Sequence, residues 1–114
     1  MHELSIALSI IDMASEEAAA RGVHVNAIHL RIGRLSGVVS DALQFAFEVA
    51  VADTALAGSR LVIEDVPVAA WCPACRRQRL MASLPALCCP VCAAPTPEIV
   101  SGRELEVTAL EITS

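Results

Sequence analysis

Four cysteines carry the clearest chemistry in this sequence. Cys72, Cys75, Cys89 and Cys92 form a C-x2-C-x13-C-x2-C pattern, written CPAC and CPVC. Each pair lies on a tight turn whose proline limits the backbone. Two such turns, face to face, set four sulfurs at the corners of a tetrahedron, the arrangement of a structural Zn²⁺ with thiolates at about 2.3 Å. The spacer is slightly under the commonest range for such sites and suits a small ribbon. The competing readings are weaker. Two disulfides need an oxidising compartment, a redox C-x-x-C usually occurs once at the end of a βα unit, and iron or another thiophilic metal is a less common occupant. Cys88 breaks the register with Cys92 and reads as a spare, partly buried thiol rather than a ligand.

The opening Met1-His2-Glu3 offers a second, different set of donors. The bulk of His2 favours retention of Met1. The Met1 amine, the His2 amide nitrogen and the His2 imidazole can then close fused chelate rings on one ion. Nitrogen donors in that arrangement favour Ni(II) or Cu(II) over Zn²⁺. Binding strengthens as pH rises, because the amide must lose its proton. Glu3 adds a carboxylate or its own nitrogen. Taken alone, a histidine at position 2 is ordinarily a residue of a frayed terminus. His29 reads as solvent-facing on a strand, and His24 as a turn residue.

Composition narrows the function classes. The chain has 114 residues, is 55% hydrophobic and carries a net charge of −5, with Phe45, Phe47 and Trp71 as its aromatics. That length makes one domain, or a domain with a small insert. An acidic chain with so few aromatics is a poor nucleic-acid binder. No apolar run is long enough for a membrane span. Glu3 and Asp12 interrupt the apolar N-terminus and no basic segment leads it, so it does not read as a signal peptide. With reduced cysteines, this gives an expectation of the cytoplasm. No nucleophile–base pair, phosphate-binding glycine loop or acid–base dyad is visible, so the expectation is a binding protein and not an enzyme.

The elements that must position these groups follow from periodicity. Residues 3–21 predict a helix with Leu4, Leu8, Ile11, Ser15 and Ala18 on its stripe, widened by Ile6, Ile10 and Met13, and stopped at Gly22. Residues 25–34 alternate as a strand with Ile28, Leu30 and Ile32 on one face. Ser40 is placed to cap a second helix, with Asp41 in its first turn and Leu43, Ala46, Phe47 and Ala50 on one side. Residues 60–66 predict a strand, and residues 103–112 another, whose change of parity between Val107 and Leu110 predicts a bulge near Thr108 or Ala109. Residues 68–97 hold the cysteines and most of the prolines. The expected class is α+β: a three-stranded sheet covered by two helices, with a four-cysteine zinc-ribbon lobe inserted. The expected division is a domain of residues 1–67, completed by 98–114, and an inserted domain of 68–97.

Several segments together resemble one family. MHELSIALSIID at residues 1–12, IHLRIGRLSGV at 28–38, ALQFAFEVA at 42–50, the paired CPxC turns and SGRELEVTALEI at 101–112 are similar, in order, to the HypA/HybF hydrogenase maturation factors. The resemblance spans essentially the whole chain, and an MHE start combined with a late four-cysteine insert is its specific part. It implies a nickel metallochaperone. The nickel site falls on Met1, His2 and Glu3, and a structural zinc on Cys72, Cys75, Cys89 and Cys92. Implied partners are the GTPase HypB and the [NiFe]-hydrogenase large subunit. Urease is an alternative client that the sequence does not separate, and a homodimer is among the oligomeric states it leaves open. Many relatives carry glycine directly after each C-x-x-C, where this chain has Arg76 and Ala93. The main alternative function is a zinc-ribbon nucleic-acid or interaction module. Arg76, Arg77 and Arg79 just past the first knuckle suggest it, and the acidic balance of the chain opposes it.

Overall fold

The computed structural model of the protein describes residues 2–81, 88–96 and 98–114. Helix α1 (Glu3–Arg21) leads into strand β1 (His24–Gly33), helix α2 (Ser40–Val51) and strand β2 (Arg60–Val66). Three short strands follow, β3 (Ala69–Cys72), β4 (Arg77–Leu80) and β5 (Glu98–Ser101), and then β6 (Leu105–Thr113). The strands form two three-stranded sheets, ordered β2-β1-β6 and β4-β3-β5. In the first, β2 runs parallel to β1 and β6 antiparallel to it. The parallel pair needs a crossover, and α2 supplies it. The α+β class and the inserted cysteine lobe are as the sequence predicts.

Both helices bury an apolar stripe against this sheet and each other. Leu43, Phe47 and Val51 of α2 and Ala7, Ile10, Ile11 and Ala14 of α1 close over Val25, Ile28, Leu30 and Ile32 of β1. The buried face of α1 is rotated from the predicted one, since Leu4 is 54% and Leu8 46% exposed while Ala7 and Ala14 are wholly buried. The first four turns of α1 are apolar on several sides, so periodicity alone does not set the phase. Packing against α2 does, because small alanines let two helix backbones approach. The helix ends at Gly22, which adopts the left-handed conformation (φ 64°) usual for a residue just past a helix.

Strand β6 carries the predicted bulge. His29 opposes Ala109 and Leu30 opposes Val107, leaving Thr108 as the extra residue, and Thr108 donates its hydroxyl to the His29 carbonyl at 3.4 Å. Two details differ from expectation. Ser40 does not cap α2: Val39 takes the cap position, and the Ser40 hydroxyl donates to Asp65 Oδ1 at 2.6 Å. Residues 98–101, expected to lead into the returning strand, instead pair with β3. The chain changes sheets at Gly102, whose φ of 115° is open to glycine and strained for other residues.

The two sheets meet through backbone. Gly33 donates its N–H to the Glu104 carbonyl at 2.7 Å, and Leu35 donates to the Gly102 carbonyl at 2.6 Å. The Glu104 carboxylate folds back to accept from the Gly102 N–H at 2.7 Å. That hydrogen bonding, through the local backbone amides, holds the Glu104 carboxyl below the usual range. A side chain on Gly33 has no room: a Cβ there falls 2.1 Å from the Gly102 carbonyl carbon.

Gly33→Ala should therefore destabilise the protein by about 3 kcal/mol or more, beyond ordinary overpacking, because the obstruction is main chain and not a movable side chain. Gly22→Ala, where the Cβ meets nothing within 4 Å, should cost only the left-handed strain of about 1 kcal/mol. Urea unfolding midpoints of the two variants test the contrast; equal shifts would refute it.

Candidate metal centres

The four predicted cysteines come together although 13 residues separate the two pairs. Cys72 ends β3 and Cys75 follows in the turn to β4, while Cys89 and Cys92 frame the second turn. The two turns share one hydrogen-bond pattern. The Arg76 N–H donates to the Cys72 carbonyl and the Ala93 N–H to the Cys89 carbonyl, both at 2.8 Å. The Cys75 N–H points at Cys72 Sγ (3.3 Å) and the Val91 N–H at Cys89 Sγ (3.4 Å). Each turn thus aims an amide at its first sulfur.

All four sulfurs lie within 4.8 Å of one another. Cys72 Sγ is 3.5 Å from Cys92 Sγ, and Cys75 Sγ is 3.9 Å from Cys89 Sγ. Four ligands at 2.3 Å from a central ion would stand about 3.8 Å apart, so the cluster fits a tetrahedral thiophilic ion such as Zn²⁺. Cys88 stands outside this group. Its residue is exposed and its backbone bridges to Pro95.

The electrostatics of the cluster call for a cation. Cys75 is held below the ordinary thiol range, first by Arg79 and then by Cys92. Cys89 is lowered to about 6 by the Cys92 and Val91 amides. Cys92 is driven the other way, to about 12: the Ala94 amide pulls it down, but the crowding of Cys72 and Cys75 outweighs that pull. Without a metal, then, some of these sulfurs ionise readily only if others keep their protons. A divalent ion removes that conflict, and its binding displaces protons.

The N-terminal donors are arranged differently. Met1 lies outside the described residues. His2 is exposed at the N-cap of α1, with extended backbone (φ −92°, ψ 91°), and its carbonyl accepts from the Ile6 N–H at 3.2 Å. Glu3 is partly buried, and its Oε2 accepts from the Val39 N–H at 3.4 Å, tying the start of α1 to the start of α2. His29 pairs with Glu111 at 2.7 Å on the open sheet face, which fits the solvent-facing reading.

The arginines behind the nucleic-acid alternative are dispersed. Arg76 sits within the first knuckle, in left-handed conformation (φ 55°). Arg77 is exposed, whereas Arg79 is partly buried beside the sulfurs. Arg79 is the residue that sequence reasoning passed over. Its signal was the alternation in Arg77-Gln78-Arg79-Leu80, which puts both arginines on one strand face.

Comparison with known proteins gives one consistent result. Residues 1–112 match the family model described as "Hydrogenase/urease nickel incorporation, metallochaperone, hypA". A hydrogenase maturation factor HypA of Chloroflexus aurantiacus is 51% identical over 112 residues, covering 97% of this chain and 98% of that one. One from Streptomyces avermitilis is 41% identical, covering 96% and 86%. Among solved structures, the solution structure of the Ni metallochaperone HypA from Helicobacter pylori is similar with a TM-score of 0.64 at 25% identity, covering 98% of this chain and 97% of that one. A second HypA solution structure has a TM-score of 0.71 at 24% identity, covering 99% and 97%, and supports the fold alone.

Arg76 and Ala93 (φ 55° and 64°) occupy positions where a Cβ costs roughly 1–2 kcal/mol. Arg76→Gly and Ala93→Gly should each relieve part of that strain, stabilising the four-cysteine lobe by about 1 kcal/mol after glycine's added entropy. Denaturant titrations followed by the Trp71 fluorescence of β3 would report it; loss of stability in both variants would show that the turns are unstrained.

Proposed function

The chain belongs to the HypA family of hydrogenase and urease nickel-incorporation metallochaperones, and from that premise we propose that it captures Ni(II) at its N-terminus and hands it on for [NiFe]-hydrogenase maturation. The ligands are the Met1 amine, the His2 amide and imidazole, and Glu3. The observation that carries this reading is the state of His2: it is exposed and extended, ahead of the first turn of α1. Its amide is therefore not needed by the helix, whose hydrogen bonding starts with acceptance by the His2 carbonyl. A cation at the positive end of a helix is disfavoured by the dipole. The deprotonated amide and the Glu3 carboxylate supply the offsetting negative charge. Glu3 Oε2 already accepts from the Val39 N–H, so a carboxylate that uses that oxygen for nickel would couple loading to the α1–α2 contact.

Cys72, Cys75, Cys89 and Cys92 hold zinc in a structural role, and the two metals stay apart by donor chemistry. The expected division is a nickel-binding domain of residues 1–67, completed by 98–114, and an inserted zinc domain of 68–97, with β5 pairing within the insert's sheet. The interior of that insert includes residues outside those described. The handover partners are the GTPase HypB and the hydrogenase large subunit, in the cytoplasm. Among the described residues no helix is long and apolar enough to cross a membrane. Without catalytic machinery, transfer rests on a site exposed enough to exchange its ion.

Untagged protein with its native terminus should bind nickel, while a copy with one residue added before Met1, or His2→Ala, should lose most nickel affinity and keep both zinc and fold. Isothermal titration beside metal analysis tests this. Stoichiometric nickel binding by His2→Ala would remove the N-terminal assignment.

A further inference from the structure

A fixed cation stands against the sulfur cluster. Arg79 of β4 lies opposite Ala70 of β3, and Arg77 lies opposite Cys72. Directly opposed residues of an antiparallel pair share a face, so Ala70, Cys72, Arg77 and Arg79 project to one side of the sheet while Trp71 and Gln78 project to the other. That side also carries the small apolar cluster of Val68, Ala70 and Met81, with Ile99 packed against it. Arg79 thus sits between an apolar patch and the sulfurs, across from an alanine that leaves it room. Its Nε is buried and has no hydrogen-bond partner among the described residues. Arginine does not give up its charge in a protein, and a buried donor of a charged group without an acceptor is costly.

We propose that Arg79, on the sheet face that carries Cys72, is the charge partner of the metal–thiolate centre, a positioning residue that retards loss of the ion. The inference rests on the zinc reading above. A divalent ion with four thiolates is a net dianion, and a protein that is itself acidic does little to stabilise it. The guanidinium offsets part of that charge and gives the sulfurs N–H donors, which lowers their reactivity toward protons and competing ligands.

The test uses the full chain as wild type, Arg79→Met and Arg79→Lys, with zinc content, the rate of zinc transfer to a chromogenic chelator at fixed pH, and the thiolate-to-metal charge-transfer band of the cobalt-substituted form. One zinc per chain is expected in all three. Arg79→Met should release it roughly tenfold faster, the low end of what loss of an outer partner costs a metal site, and its cobalt band should move to longer wavelength. Arg79→Lys should restore most of both. If Arg79→Met loses the folded Trp71 signature, Arg79→Gln replaces it in the comparison with Arg79→Lys. Wild-type release rate and an unmoved band in the neutral variant would overturn the assignment, as would an Arg79→Lys that behaves like the neutral variant. A wild-type chain that neither carries nor takes up zinc would instead overturn the zinc reading beneath it.

Discussion

The contact of Gly33 with Gly102 sets the terms for everything else in this structure. Strand β1 is flanked at its C-terminal end by the end of β2, where Val66 opposes Gly33, and by the start of β6, where Leu105 opposes Ile32. The insert leaves from one neighbour of β1 and returns to the other, so the chain must cross the end of β1 in a narrow space. It does so by laying backbone on backbone. A side chain at Gly33 would overlap the Gly102 carbonyl, and a Cβ on Gly102 would crowd Val68 Cα at 3.0 Å. Hydrogen bonds from Gly33 to Glu104 and from Leu35 to Gly102 fill the crossing. The sheet beneath is left undisturbed, and the four-cysteine knuckles and the start of α1 inherit fixed supports from it.

The second sheet is too small to stand on burial alone. Among the described residues its apolar cluster is Val68, Ala70 and Met81 with Ile99 against them, a small core for a unit without a staple. The sulfur cluster supplies the staple, and it does so through a conflict. Amides of the second knuckle favour a Cys89 thiolate, while the closeness of the other sulfurs makes Cys92 hold its proton. An ion settles the conflict and links β3, which ends at Cys72, to the second knuckle. The left-handed backbone at Arg76 and Ala93 shows the cost of forming these turns without glycine. The metal's binding energy, on the order of 10 kcal/mol for structural zinc, readily exceeds that strain.

What the sequence made legible follows from which signals are local. The two C-x-x-C knuckles, the Gly22 stop and the Thr108 bulge are each written within a few residues, and each stands where expected. The face of α1 was not local. Leu4, Ile6, Leu8, Ile10 and Ile11 offer several apolar stripes, and only contact with α2 chooses the one through Ala7 and Ala14. The membership of β5 was likewise a matter of long-range pairing: Glu98–Ser101 is strand-like in either sheet, and the positive φ at Gly102 decides between them. Arg79 was hidden for the same reason. In sequence it is one of three neighbouring arginines, and only the register of β4 on β3 separates it from the exposed Arg77.

The two sets of donors are suited to opposite tasks. Four sulfur donors on hydrogen-bonded knuckles suit a centre that gives up its ion slowly. Nitrogen donors on the first residues of a helix make a centre whose geometry must be assembled for each ion and can be taken apart again. Glu3 is the point where these tasks touch the fold, because its carboxylate already holds the Val39 N–H at the otherwise uncapped start of α2. In the proposed nickel site, a Glu3 oxygen taken from that exposed contact would exchange it for water, a cost of up to about 1 kcal/mol. The empty form is stabilised by the same amount relative to the loaded one. In the proposed carrier role such a penalty would weaken the grip on nickel slightly and tie release to the re-formation of the Glu3–Val39 contact between the two helix starts.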